Sequence, residues 1–493
     1  MSRPADRWDL SLGLDGGSEP LFRRISRSIV AEIRRGRLRP GARLPGSRTL
    51  ARTLRVHRNT VLAAYEELAG EGWTETSRAR GTFISRALPQ LPQRTPGAPY
   101  RRPLTGAAGF DVRGSGDPDV SDTGSGPLLS LGVPDVRLAP SMALARAFRR
   151  VLRCQTDTVL SYGYPQGHPR LRTALADMLC SARGLAVEAD DVLVTAGSQM
   201  ALELVGRALL RAGDVVAIEN IGYRRAWQVF RQHGAVLAPI AVDEGGLDVE
   251  ALAQLAGRTA LRAVYVTPHH QYPTTATLTA GRRIALLELA RRARFAVIED
   301  DYDHEFHYEG RPVLPMASAD RWGVVVYIGS LAKVLAPGVR LGYMVAPRPV
   351  LREAVAHRSC IDRQGEHTIE CAVAELFEQG DVQRHARRAR RIYHARRDFL
   401  ARALARELGS ALSVPLPSGG LTLWATVSPE LDVEAWAASA KAQGATLYTA
   451  RRYAYDGRIR PHFRLGFAPF DEHELAAWVR LLKRALRDAG AAR

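Results

Sequence analysis

The string YIGSLAKVLAPGVRLGYM, Tyr327 to Met344, sets a lysine between a hydroxyl and a guanidinium. Ser330 stands three residues before Lys333, and Arg340 seven after it. This set suits a phosphate-bearing aldehyde: the primary amine forms a Schiff base while hydroxyl and guanidinium hold the phosphate. Lysine is scarce in this chain. Of 69 Lys and Arg in 493 residues, only Lys333, Lys441 and Lys483 are lysines. Genomic base composition accounts for a general arginine bias. It does not account for a lysine kept inside an apolar segment, where a guanidinium cannot do the work of a primary amine.

Other strings supply complementary chemistry. FAVIEDDYDHEF is an apolar, strand-like run ending in Asp300, Asp301 and Tyr302. Carboxylate and phenol then sit at a strand's C-terminal end, where α/β ligand sites form. An Asp beside a protonated pyridine nitrogen makes pyridoxal phosphate a better electron sink, and a nearby phenol can bond the ring oxygen. VLVTAGSQMALELVGRALL reads strand, Gly-Ser turn, helix, so the helix start at Ser198 and Gln199 offers free backbone N–H groups to an anion. HFRLGFA sets Arg464 in an apolar run. A buried guanidinium needs an anion, either a structural carboxylate or that of a ligand.

The elements around these strings divide the chain into three zones. Residues 1–88 carry 17 Arg and no Lys against nine acids, residues 89–127 carry four Arg and four Asp, and the rest holds the remaining excess of the net +18. The middle zone is rich in Pro, Gly, Ser and Thr without a sustained period, and reads as an interdomain linker. Beyond about Leu128, short apolar runs (DDVLVTAG, DVVAIEN, LRAVYVTP, RFAVIEDD, GVVVYIGS) alternate with helical stretches. That alternation predicts an α/β domain with a largely parallel sheet. The four cysteines show neither CxxC nor metal-ligand spacing, so reduced thiols and no metal site are expected. No apolar region resembles a signal peptide or a membrane span, so a cytoplasmic protein is expected.

The basic first zone predicts three helices: one from Pro20 to Arg37, SRTLARTL capped by Ser47, and RNTVLAAYEELAGEG with Val61, Ala64, Tyr65 and Leu68 on one face. WTETSRARGTFIS follows as two strands around a basic turn. This is the layout of a winged helix-turn-helix; a small basic helical bundle is the alternative.

The order of LPGSR, RNTV and GTF over residues 20–85 closely resembles the DNA-binding domain of the GntR family of bacterial regulators. The resemblance implies DNA contacts by Arg43, Arg48, Arg58, Asn59 and Thr60, with Arg80 and Gly81 at the wing. From residue 128 onward the motif order resembles fold type I pyridoxal phosphate enzymes of the aspartate aminotransferase class. That implies Lys333 as the aldimine lysine, Asp300 as the pyridinium partner, Tyr302 on the ring oxygen and Tyr223 (in ENIGYRRAW) stacked on the ring. It further implies phosphate contacts by Ser198, Gln199, Ser330 and Arg340, and binding of an amino-acid carboxylate by Arg464. Arg225 is a second anion-binding candidate. Joined, and with HQYP and EDDYD present, the two domains resemble the MocR/GabR subfamily of GntR regulators. Three segments depart from that pattern. HQYPTTAT has Thr275 in place of a glycine, NIGYRR stands for DPGYPG, and AKV stands for SKT.

The domain expectation is therefore a winged helix-turn-helix over 1–88, a linker over 89–127, and an aminotransferase-like domain over 128–493 with a small C-terminal subdomain. The functional expectation is a homodimeric regulator of double-stranded operator DNA that senses an amino acid, an amine or pyridoxal phosphate. The alternative is a working aminotransferase with an attached DNA-binding module. Both need Lys333, Asp300 and Arg464; only the regulator needs the winged helix.

Overall fold

A computed structural model of the chain describes residues 19–77, 80–89, 128–129, 132–310 and 313–491. The chain divides into two compact units, Met1–Arg113 and Gly114–Arg493. The linker expected over 89–127 lies, apart from Pro89, outside the described residues.

The first unit consists of helices α1 (Leu21–Arg34), α2 (Ser47–Leu54) and α3 (Arg58–Gly70), then antiparallel strands Thr74–Ser77 and Gly81–Ile84. Ile25, Ile29 and Ile33 recur at helical spacing and pack with Leu50, Val61, Ala64, Tyr65 and Leu68 in one core. The Tyr65 hydroxyl donates to the Pro45 carbonyl at 2.7 Å, which satisfies its polar end. Residues 42–44 add a third edge to the wing: Leu44 N–H donates to the Thr82 carbonyl and Ile84 N–H to the Ala42 carbonyl. The capping expectation is off by one residue. Gly46 occupies the cap, and the Ser47 hydroxyl instead accepts from Arg58 Nε at 3.3 Å.

In the second unit all five expected strands are present, joined by Val236–Ile240 and Gly342–Val345. The spatial order is Val192–Thr195, Gly342–Val345, Val325–Ser330, Ala296–Asp301, Leu261–Val266, Val215–Glu219, Val236–Ile240. Gly342–Val345 runs antiparallel to both neighbours, and the remaining pairs are parallel. Successive side chains feed opposite faces of the sheet. Val264, Val297 and Tyr327 join one core with Leu286 and Ala290 of the helix Ala280–Ala293. Ala263, Tyr265, Ile298 and Ile328 join another with Leu202 and Val205 of the helix Ser198–Leu209. Burial on both faces explains why these strands read as continuous apolar runs rather than alternating ones.

A small antiparallel sheet of Leu412–Ser413, Thr422–Val427 and His462–Gly466 forms the C-terminal subdomain. Its core includes Trp436, whose indole donates to the Leu482 carbonyl at 2.9 Å and whose ring meets Phe463 edge-on at 5.3 Å. Phe463 precedes Arg464, so this packing fixes the strand that carries the guanidinium. Trp436→Ala is expected to cost about 3–5 kcal/mol through cavity formation. Urea unfolding of the full chain should show a lowered midpoint, and Trp436→Phe should lose less.

Candidate functional site

The parallel strands end along one edge of the sheet, and the chemistry-bearing residues emerge there. Asp300 lies at the end of Ala296–Asp301 and Ser330 at the end of Val325–Ser330, with Ile328 registered opposite Asp300. A cavity of about 270 Å³ opens at this edge. Lys333, Asp300, Tyr302, Tyr223, Ser198, Gln199, Ser330 and Arg340 line it together with Arg464 from the small subdomain. Arg225 does not line it. Arg225 is exposed on the helix Arg224–Gln232, whose phase buries Ala226 and Trp227 instead.

The Lys333 ammonium has little water around it, and Nζ donates to the Gly132 carbonyl at 2.8 Å. Burial, followed by the Arg464 guanidinium, lowers its pKa from 10.5 to about 8, against the pull of Asp303 and Asp300. Gly132 sits where a side chain cannot. A Cβ there would lie 2.5 Å from Arg464 Nη2 and 3.1 Å from the Thr422 methyl. The glycine thus lets backbone pass between amine and guanidinium.

Asp300 is 4 % exposed. Burial raises its pKa from 3.8 to about 7; Asp301 and Asp303 push the same way, while the Tyr265 hydrogen bond and Lys333 oppose them. Its Oδ2 accepts from the Tyr265 hydroxyl at 2.8 Å, and its Oδ1 is buried with no hydrogen-bond partner. A buried carboxylate oxygen left this way is costly unless a cation or donor meets it. A protonated ring nitrogen is such a donor, so the residues present fit a pyridine cofactor.

The opposite end of the cavity suits an anion. Gly197, at φ +85°, turns the chain into the helix Ser198–Leu209, whose first amides have no partner within the helix. Arg340 reaches the same turn, where its Nη2 donates to the Ala196 carbonyl at 2.9 Å. Between the two ends stands a group of tyrosines. Tyr223 and Tyr272 meet edge-on at 5.3 Å, and the Tyr302 hydroxyl donates to the His270 carbonyl at 3.0 Å. For Tyr302 to donate to a cofactor's ring oxygen, its hydroxyl must turn from that carbonyl. Arg464 is 5 % exposed, with its Cζ 4.3 Å from the centre of the Tyr272 ring and 6.0 Å from that of Tyr453. Tyr265, Gly132, Tyr272 and Tyr453 were absent from the sequence-based set. Only the tyrosine hydroxyl within the apolar string LRAVYVTP hinted at the first.

The substituted Thr275 has φ +65°, in the left-handed region a glycine occupies without steric cost. Its N–H donates to the Gln271 carbonyl at 2.7 Å, so the turn survives the substitution.

In the first unit, Arg58, Asn59 and Thr60 open α3, where the His57 ring accepts from Asn59 N–H at 3.2 Å. Arg43, Arg48, Arg58, Asn59 and Arg80 are exposed or half-exposed, and Thr60 and Gly81 half-buried. The Arg43 guanidinium lies against the wing turn; a Cβ on Gly81 would stand 3.3 Å from its Nε.

Residues 21–84 match the model of bacterial regulatory proteins of the gntR family, and residues 127–481 that of class I and II aminotransferases. The probable rhizopine catabolism regulatory protein MocR of Rhizobium meliloti is 30% identical over 475 residues, covering 94% of each chain. The HTH-type transcriptional regulator TauR of Rhodobacter capsulatus is 30% identical over 96% of this chain and 98% of its own. The chain belongs to the MocR subfamily of GntR regulators. As in other MocR-type chains, a winged helix-turn-helix is joined to an aminotransferase-like domain, which makes it a transcriptional regulator rather than a plain aminotransferase. Among solved structures, the α-aminoadipate aminotransferase LysN of Thermus thermophilus, complexed with N-(5'-phosphopyridoxyl)-L-leucine, superposes with a TM-score of 0.70 at 28% identity. The match covers 75% of this chain and 94% of that one. A kynurenine aminotransferase of Pyrococcus horikoshii gives 0.69 at 27% identity, covering 74% and 92%. The aminotransferase fold implies dependence on pyridoxal phosphate. Among the described residues, no helix of this MocR-type regulator is long and apolar enough to cross a membrane.

A lysine with a pKa of about 8 is half free amine at that pH and almost wholly free amine little more than one unit above it. In cofactor-free protein, Lys333 labelling by pyridoxal phosphate with borohydride reduction should therefore rise with pH through a midpoint near 8 and level off by about pH 9.5. Peptide mass mapping reads the rate; a rise continuing through pH 10 contradicts the lowered pKa.

Proposed function

We propose that this regulator holds pyridoxal phosphate in the cavity and changes its operator affinity when an amino acid or amine enters. We further propose that it works as a homodimer. The observation that carries the reading is a buried lysine amine and an unpartnered Asp300 oxygen facing one cavity. In this reading Lys333 meets the aldehyde end of the cofactor, Asp300 the ring nitrogen and Tyr223 the ring face. Ser198, Gln199, Ser330 and Arg340 take the phosphate. When bound, pyridoxal phosphate supplies an aldehyde carbon that primary amines attack reversibly, on a ring that withdraws electrons.

The chain's own residues prepare that exchange. Lys333 gives up its proton close to neutral pH, and the Gly132 carbonyl stands ready to hold its amine. A cation beside Asp300 offsets the burial penalty and so favours the charged carboxylate. Arg464, sleeved by Tyr272 and Tyr453, draws in a carboxylate where little water competes for it. Lys333 belongs to the large subdomain and Arg464 to the small one. An amino acid that engages both sides ties them together, and such differential binding is what a ligand-driven switch requires.

Exposed apolar side chains gather within residues 136–164: Val136, Met142, Phe148, Leu160, Tyr162 and Tyr164. Such a surface suits a subunit interface, and a twofold protein suits repeated operator half-sites. On the DNA side we assign contacts to Arg43, Arg48, Arg58, Asn59 and Thr60, with Arg80 and Gly81 at the wing.

Purified protein is expected to show a visible absorption band from lysine-bound pyridoxal phosphate. Lys333→Ala should lose it, and a band that persists unchanged overturns the assignment. Arg464→Ala should weaken the response to an amino acid about 10–100-fold, the scale of one charged hydrogen bond of about 1.5–3 kcal/mol. The response to the corresponding amine, which lacks the carboxylate, should change little. Arg58→Ala should weaken operator binding, and if Arg58 meets phosphate it should also reduce the salt slope by about one charge. Fluorescence anisotropy at several salt concentrations reads both.

A further inference from the structure

Four histidines gather in the interior beside the cofactor cavity, on the two segments that carry Tyr272 and Tyr302. His269 and His270 follow the strand Leu261–Val266, and His304 and His307 follow Ala296–Asp301. All four are buried, the most accessible being 8 % exposed. An imidazole removed from water needs partners for its nitrogens. Each of these rings lacks at least one: both nitrogens of His269, Nε2 of His270, Nδ1 of His304 and Nδ1 of His307 are buried with no hydrogen-bond partner. The His269 ring centre lies 4.4 Å from that of His270 and 5.8 Å from that of His307. One ligand nitrogen on each of the three lies within 4.8 Å of one on each of the others.

We propose that His269, His270 and His307 bind one divalent transition-metal ion of the zinc type, at a site separate from the cofactor cavity. Three imidazoles without a thiolate form a donor set that suits zinc or cobalt, whereas magnesium and calcium take oxygen. Ligation requires the neutral form of each ring. The outer support is also present. Asp303 Oδ1 stands 2.8 Å from His270 Nδ1, so Nε2 is the ring nitrogen left for a metal ion. A carboxylate behind a ligating histidine is the arrangement that orients metal-bound imidazoles. Gly419 leaves space for the His270 ring, because a Cβ there would collide with the imidazole. An ion about 2.0–2.1 Å from each nitrogen sets them ~3.3 Å apart, so shifts on the order of 1 Å close the set.

A second grouping, His269 with Asp301 and His304, already has other uses for its atoms. His304 Nδ1 lies 2.9 Å from Asp301 Oδ2. The same oxygen accepts from the Tyr327 hydroxyl at 2.7 Å and lies 3.6 Å from the Arg183 guanidinium. A metal ion there displaces those partners and meets a buried cation. In the His270 grouping, both nitrogens of His269, Nε2 of His270 and Nδ1 of His307 have no such hydrogen-bond partners to displace. An ion held by it braces the loop whose His270 carbonyl accepts from Tyr302. This revises the expectation of no metal site, which rested on cysteine spacing.

The test is titration of untagged, EDTA-dialysed full-length protein with Co2+, followed by visible spectroscopy and metal analysis. The expected result is one retained ion per chain, with the strong ligand-field bands of four-coordinate cobalt, no thiolate charge-transfer band, and displacement by Zn2+. His307→Gln should abolish the bands. Asp303→Asn should weaken binding about 10–100-fold through the outer carboxylate. His304→Gln should leave them in place, with circular dichroism confirming that each variant is folded. Absence of retained cobalt in the unmodified protein overturns the proposal. Bands that survive His307→Gln but vanish with His304→Gln overturn the ligand set.

Discussion

Two groups of opposite charge are kept out of water at the carboxyl edge of one sheet. Burial draws the Lys333 amine down to about 8 and the Asp300 carboxyl up to about 7, so each stands close to losing its charge near neutral pH. A fold tolerates such groups only when their polar atoms are met, and here they are met in part. The Gly132 carbonyl takes the amine and the Tyr265 hydroxyl takes one oxygen of Asp300, while the other oxygen stays unpartnered. That remaining oxygen makes this a place for a cationic ligand rather than a finished ion pair.

The architecture serves this constraint. A sheet buried on both faces brings Asp300 and Ser330 to the same edge in fixed register. The antiparallel strand Gly342–Val345 follows the Lys333 loop directly and lies beside Val192–Thr195, so the loop and the turn at Gly197 share one end of the cavity. The small subdomain contributes Arg464, and Trp436 packed on Phe463 holds the strand that presents it. Regulation through an aminotransferase-like domain then requires no new chemistry. Two subdomains need only bind one small molecule differently in two arrangements.

Much of this was legible in the sequence because it is carried by short linear strings. Lys333, Ser330 and Arg340 lie in one loop region, Asp300 and Tyr302 at one strand end, and Ser198 and Gln199 at one helix start. What escaped depends on relations between distant segments. Tyr265 reaches Asp300 from the neighbouring strand, and Gly132 meets Lys333 and Arg464 from far upstream. Arg225 lies off the cavity for a local reason: one residue before the buried Ala226 and Trp227, it falls on the outward side of its helix. The strand Val236–Ile240 went unread because Pro239 argues against a central strand, and it is in fact the sheet's edge, where a missing N–H is tolerated. The histidines beside the cavity gave no sign because their spacing follows two loops rather than a ligand motif.

The central claim is that ligand chemistry at Lys333 sets affinity for DNA. The most direct measurement is operator titration of the wild-type protein and Lys333→Ala, each saturated with pyridoxal phosphate, with and without an amino acid that alters the wild-type visible spectrum. The expected result is a shift in operator Kd for the wild type and none for the variant, with the variant's DNA-binding module still competent. An equal shift in both proteins contradicts the claim, because the signal would then reach the DNA without the lysine.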